Sequence, residues 1–280
     1  LLVRLGALGD LVHGLPVAAA LRRAWPAARI DWLVSAKHAE LLELVPVINH
    51  RILVSDRGGA ARGLSPFAAV SALRRTGYDA AIDMQGLIKS ALFARFSGAR
   101  RVIGFSKALV REPLAASLYT DRCDPGRVTR DGAAIRHVVH LNLSLLTPLG
   151  LLPDRLEFPI GPVESAVARQ VRETVGGPYV LINPGAAWPN KRWPPARFGA
   201  LAAALFKHLW GPGERALADD VVAHAAHAAI VSPDTRIADI VALARGARLM
   251  VSGDTGPTHI AAAVGTPIVG LFGPTRPERN

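Results

Sequence analysis

A chain of 280 residues, half of them hydrophobic, has length and apolar content for one large core or two ordinary ones. No apolar run is long enough and free enough of charge to span a bilayer, and the opening Leu1-Leu2-Val3-Arg4-Leu5 is too short for a signal peptide. One cysteine, Cys123, excludes an intrachain disulfide framework and fits a soluble protein of a reducing, cytoplasmic compartment, while a formal net charge of +11 without polybasic blocks favours phosphorylated small molecules or an acidic membrane face over nucleic acid.

The apolar pattern predicts strands at 1–5, 29–34, 51–54, 78–83 and 101–104, alternating with helices at 11–24, 36–44, 66–75 and 87–96. Such alternation implies βαβ units and a mostly parallel sheet. A helix over 135–149, ended by Gly150, closes this half. Residues 152–162 carry Pro153, Pro159, Gly161 and Pro162, the chemistry of a linker. A second series follows, with strands at 178–183, 228–231, 249–252 and 267–272. Its helices are expected at 195–207, 214–224, 237–244 and 258–264. The division predicts two α/β domains, 1–155 and 156–280, with a ligand cleft between them. The link 209–213 is too short for the strand that a parallel sheet needs there, and the second domain reads as incomplete.

Ser252-Gly253-Asp254-Thr255-Gly256-Pro257-Thr258-His259 runs from an apolar strand through an acidic turn into an alanine-rich helix. The orphan N–H groups and dipole of such a helix start make an anion site. Thr255 and Gly256 allow close approach of a phosphate, and Pro257 suits the first turn. Asp254 repels phosphate and is better suited to sugar hydroxyls. A plain helix cap at Asp254 or Thr255, with His259 facing the core, explains the local pattern equally well.

Arg4-Leu5-Gly6-Ala7-Leu8-Gly9-Asp10 is again strand, glycine turn and acid. It is neither a Gly-x-Gly-x-x-Gly fingerprint nor a P-loop. Asp10 is placed either to take a proton from an incoming hydroxyl or merely to cap the helix. In Asn183-Pro184-Gly185-Ala186-Ala187-Trp188-Pro189-Asn190-Lys191-Arg192, small residues and two cations follow a strand, as a diphosphate site would need. Lys89, Lys107 and Arg111 offer charge for an acidic acceptor, or lie along solvated faces.

Five segments together resemble the ADP-heptose:lipopolysaccharide heptosyltransferase family: RLGALGDLVHGLPVAAALRRAWP (4–26), DMQGLIKSALFAR (83–95), VREPLA (110–115), NPGAAWPNKRWP (183–194) and VSGDTGPTHIAAAVGTPIVGLFGPT (251–275). The resemblance implies an α/β fold of GT-B type, an acceptor-binding and a donor-binding Rossmann-like domain, and inverting transfer without a metal or other cofactor. By motif position it implies Asp10 as catalytic base. It implies Lys191, Glu214, Asp254, Thr255, Gly256 and His259 as the ADP-heptose site, and Lys89 and Arg111 as acceptor contacts. The implied acceptor is Kdo-lipid A, met at the inner membrane face, with the VREPLA segment favouring the first heptose transfer over the second. A nucleotide-sugar epimerase or a non-catalytic nucleotide-binding protein are the alternatives from other classes. Relative to the family, a strand near 209–213 and a C-terminal helical segment are expected to be missing.

Overall fold

Leu8 to Leu21 shows why the first helix lies inside the protein: its only charge is Asp10, in the first turn, and from Leu11 to Leu21 every side chain is buried. Gly14 lets this helix press against Trp32, because a Cβ there would sit 2.9 Å from the indole. The computed structural model describes all residues except 56–62, 126–136, 187, 206–207, 210–214, 226–228, 274–276 and 278–280. The chain divides into two units, Leu1–Pro159 and Ile160–Glu278.

In the first unit, β1 (Leu2–Val3), β2 (Asp31–Ser35), β3 (His50–Val54), β4 (Ala80–Asp83), β5 (Arg101–Phe105) and β6 (Asp121–Cys123) form a parallel sheet in the order β3-β2-β1-β4-β5-β6. This is the order of a Rossmann-type sheet, which reverses direction between β1 and β4. The helices are α1 (Leu8–Ala24), α2 (Glu40–Glu43), α3 (Pro66–Thr76), α4 (Ile88–Phe96) and α5 (Val138–Ser144). Ser65 starts α3 by accepting from Ala68 N–H at 3.3 Å, with Pro66 in its first turn, and Gly77 at φ 69° ends it.

The second unit contains α6 (Ala166–Val175), β7 (Val180–Asn183), α7 (Pro195–Leu205), β8 (His208–Leu209), α8 (Arg215–Ala223), α9 (Ile237–Gly246), β9 (Leu249–Gly253), α10 (Gly256–Ala263) and β10 (Ile268–Leu271). Its sheet is parallel, in the order β10-β9-β7-β8, and reverses between β7 and β9. Ser165 caps α6 at 2.9 Å to Ala168 N–H and donates to Asp239 of α9 at 2.7 Å, which ties the two helices together.

Several expectations need correction. The strand thought to be missing exists as the two-residue β8, pairing Val180 with His208 and Leu181 with Leu209. The strand predicted at 228–231 does not form over Ala229–Val231: the segment runs into Ser232-Pro233, and proline cannot donate to a ladder. The helix predicted over 135–149 stops at Ser144, and a separate 3-10 turn, Thr147–Leu149, begins around Pro148. The helix expected at 36–44 splits into a 3-10 turn, Ala36–His38, and the single turn of α2. Unpredicted elements include the 3-10 turns Pro113–Leu118 and Pro189–Lys191, β6, and the amphipathic α6, which buries Ala168, Val171 and Val175.

Tyr119 links the first sheet to its loops. Its ring lies on Gly104 of β5, where a Cβ would stand 2.3 Å from the ring. Its hydroxyl donates to Asp83 Oδ2 at 2.8 Å. Gly104→Ala is therefore expected to cost about 1–3 kcal/mol through overpacking, read as a lowered denaturation midpoint in urea. An unchanged midpoint would mean that the ring moves away freely.

Candidate active site

Each unit gathers polar side chains at the carboxyl ends of the two strands where its sheet order reverses, the place where open α/β sheets bind ligands. In the first unit these ends belong to β1 and β4. Asp10 stands at the third position of α1 and reaches back, accepting from Ala7 N–H at 3.2 Å. It thus supports the helix start in capping-box fashion, though Ala7 holds the cap position itself. Its carboxylate also pairs with Arg4 at 2.7 Å. Arg4 is 5% exposed, and its guanidinium donates as well to the carbonyl of Met84 in the loop after β4. That loop returns a second link, Leu5 N–H to Gln85 Oε1 at 2.8 Å.

Burial raises the Asp10 pKa, but the Arg4 charge and hydrogen bond, the Arg111 charge and the Ala7 N–H together hold it below the ordinary aspartate value of 3.8. The buried Asp83 shapes the turn that leads into α4, on which Lys89 stands. It accepts from Gln85 N–H (2.8 Å), Ser90 Oγ (2.8 Å) and Tyr119 (2.8 Å), yet burial dominates and raises its pKa. Gly86, at φ 69°, lets the backbone of Val110 and Arg111 pass within 3.3–3.4 Å of where its Cβ would be. Glu112 fastens the same crossing, its Oε2 taking Ile88 N–H at 2.6 Å and its N–H donating to Gly86 O at 3.1 Å. Lys89, Lys107 and Arg111 all remain exposed around this crossing.

In the second unit the ends belong to β7 and β9. Thr255 occupies the cap position of α10, but its hydroxyl turns inward. It accepts from Asn183 Nδ2 at 3.0 Å and lies 2.9 Å from Thr258 Oγ1. Among the described residues no cap hydrogen bond from Thr255 covers the helix start, so the plain-cap reading does not hold for it. Asn183 Nδ2 also reaches Ser252 Oγ at 3.2 Å, and Thr258 donates to Gly253 O at 2.6 Å, stapling the two strand ends to the turn.

Asp254 meets Lys191 Nζ at 2.7 Å through Oδ2 and His259 Nε2 at 3.2 Å through Oδ1. All three side chains are largely buried. Lys191 ends the 3-10 turn Pro189–Lys191, and its carbonyl lies 3.1 Å from where a Gly253 Cβ would stand. A side chain at 253 would lift the lysine loop off the strand. The carboxylate that would repel phosphate is therefore neutralised in place. His259 belongs to this cluster rather than to the core. Arg192 points elsewhere, donating to Ala186 O at 2.9 Å. Glu214 lies outside the described residues.

Of the residues expected from sequence, the structure brings Lys191, Asp254 and His259 into contact and sets Asp10 in the first turn of α1 and Thr255-Gly256 at the start of α10, while Arg4, Asp83, Asn183 and Thr258, which hold the surrounding turns, were not singled out. For Arg4 a signal existed: an arginine in an otherwise apolar strand needs a buried partner.

Two Rossmann-like α/β units, each with polar groups at its reversal point, are the architecture of GT-B type proteins. The chain belongs to glycosyltransferase family 9, the heptosyltransferases, whose profile it matches over residues 67–280. Lipopolysaccharide heptosyltransferase 1 of Pseudomonas aeruginosa is 31% identical to it over 300 residues, which is 99% of this chain and 79% of that protein. Among solved structures, E. coli heptosyltransferase WaaC with ADP superposes at a TM-score of 0.78 with 26% identity, over 99% of this chain and 88% of that one. A family 9 glycosyl transferase from Veillonella parvula shares the fold at a TM-score of 0.83 with 23% identity, over 99% and 82%.

Proposed function

We propose that this enzyme transfers heptose from ADP-heptose to the Kdo of Kdo-lipid A in lipopolysaccharide inner-core synthesis, at the cytoplasmic face of the inner membrane. The first unit takes the acceptor and the second the donor. The observation that carries the reading is the Lys191–Asp254–His259 cluster beside the uncapped start of α10.

The acceptor hydroxyl oxygen attacks the anomeric carbon. The bond from that carbon to the phosphate oxygen breaks, ADP leaves with the electron pair, and Asp10 receives the hydroxyl proton. Attack from the face opposite ADP inverts the centre. A carboxylate held by Arg4 is a weak base, so the proton moves late, when bond formation has acidified the hydroxyl. The charge growing on ADP is met by Lys191 and by the N–H groups at Thr255-Gly256, which serve where other transferases use a metal ion. Asp254 accepts from sugar hydroxyls, and Lys89 and Arg111 hold the acidic acceptor.

Release of ADP from ADP-heptose is expected with Kdo-lipid A and to be at least about tenfold slower with an acceptor that already carries its first heptose. The reverse preference would assign the second transfer. Turnover without any acceptor would favour an epimerase, and tight RNA binding with a steep salt dependence a binding protein.

A further inference from the structure

We propose that α4 and the 106–118 segment form a docking surface for an anionic phospholipid bilayer. The proposal deepens the reading above, in which the acceptor is a membrane glycolipid. Helix α4 carries large apolar side chains on its outer side as well as its inner one. Its inner side buries Ala91, Phe93 and Ala94, while Leu92 and Phe96, one turn apart, face solvent, Phe96 at 49% exposure. The 3-10 turn Pro113–Leu118 packs beside α4, burying Ala115 and Ala116 in the same core, yet leaves Leu114 70% exposed. Leu109, in the loop crossing Gly86, is exposed as well. Large apolar side chains gathered on neighbouring elements mark an interaction surface.

Charge says what the surface meets. Residues 84–120 carry six lysines and arginines and one acid, Glu112, whose carboxylate is occupied by Ile88 N–H. Lys89, Arg95, Arg100, Lys107 and Arg111 are exposed among the apolar residues. Leucine and phenylalanine interleaved with cations suit the headgroup boundary of an anionic bilayer: the apolar groups enter the acyl edge, and each cation near the surface adds attraction. No helix among the described residues is long and apolar enough to cross a membrane, so attachment through this surface is peripheral and reversible. It would bring Arg111, whose charge acts on Asp10, close to the lipid plane where the acceptor sits.

The test is flotation of the full chain with phosphatidylglycerol/phosphatidylethanolamine vesicles and with pure phosphatidylcholine vesicles. Binding is expected only to the former, and to weaken between low and physiological salt. Leu92→Ser/Leu114→Ser should lower the bound fraction at least about tenfold, and Arg95→Glu/Arg100→Glu should do the same by charge alone. Both variants should keep their ADP release with a de-acylated, water-soluble acceptor, which also shows that they are folded. Equal binding to both vesicle types, no binding to either, or variants that float like the parent would overturn the proposal. Loss of turnover by the parent with soluble acceptor would instead overturn the functional reading and leave the flotation result standing.

Discussion

Asp10→Asn is expected to lower transfer by at least about a hundredfold while leaving ADP affinity within about twofold of the parent. The substitution preserves shape and the contact to Ala7 N–H through the amide oxygen, but removes the group proposed to take the hydroxyl proton. ADP affinity is spared because every donor contact proposed here lies in the second unit. A structural cost accompanies the loss, since Arg4 keeps a buried guanidinium with no opposite charge. Arg4→Lys separates the two effects: it keeps the charge and should recover most of the activity lost in Arg4→Met. The pH dependence follows from the depressed Asp10 pKa. The carboxylate stays ionised down to below 3.8, so the acid limb of kcat/KM that belongs to Asp10 lies below about pH 4. The stability contributed by the pair is present above the ordinary aspartate pKa and is lost as the pH falls through the lower folded value. In Arg4→Met the main opposing charge is gone and burial dominates, so the limb moves to higher pH. Near-normal turnover of Asp10→Asn, or a limb in the same place in Arg4→Met, would remove Asp10 from the chemistry.

How far these features could be read from residues alone depends on the distance over which they are built. The Ser252–His259 turn was legible because strand, glycine, acid and helix start follow one another within a dozen residues, and local chemistry decides their conformation. The same holds for the start of α1. The link from Arg4 to Met84 was not, because it joins loops 80 residues apart that meet only when β1 and β4 pair. Asp83 and Tyr119 are likewise 36 residues apart. Helix α6 escaped because Arg169, Gln170, Arg172 and Glu173 interrupt its short apolar positions, and its three buried positions are visible only against α9. Strand β8 consists of two residues and owes its existence to β7 rather than to its own propensity. Residues 229–231 made the opposite error: a local β preference with no ladder to join.

Lys191→Ala is expected to weaken ADP binding by about 10–100-fold and AMP binding by less than about threefold, because in the proposed site the lysine is a charge-assisted donor to the phosphate that only ADP carries. The Asp254 contact sharpens this expectation. Without a ligand, Lys191 neutralises a carboxylate that is itself largely buried. Its removal takes the lysine charge away from Asp254, and a less compensated negative charge then faces the incoming diphosphate. The measured loss therefore contains both a missing attraction and an added repulsion. A double-mutant cycle divides them: adding Asp254→Asn to Lys191→Ala should restore part of the ADP affinity, while transfer stays low because the sugar hydroxyls have lost their acceptor. Lys191→Arg should keep most of the ADP affinity if a positive charge at that place is what matters. Calorimetric titration with ADP and AMP across these variants decides the point. Equal losses for the two nucleotides in Lys191→Ala would mean that the lysine does not touch the terminal phosphate. Strict additivity of the two substitutions would mean that the Lys191–Asp254 pair seen at 2.7 Å plays no part in donor binding.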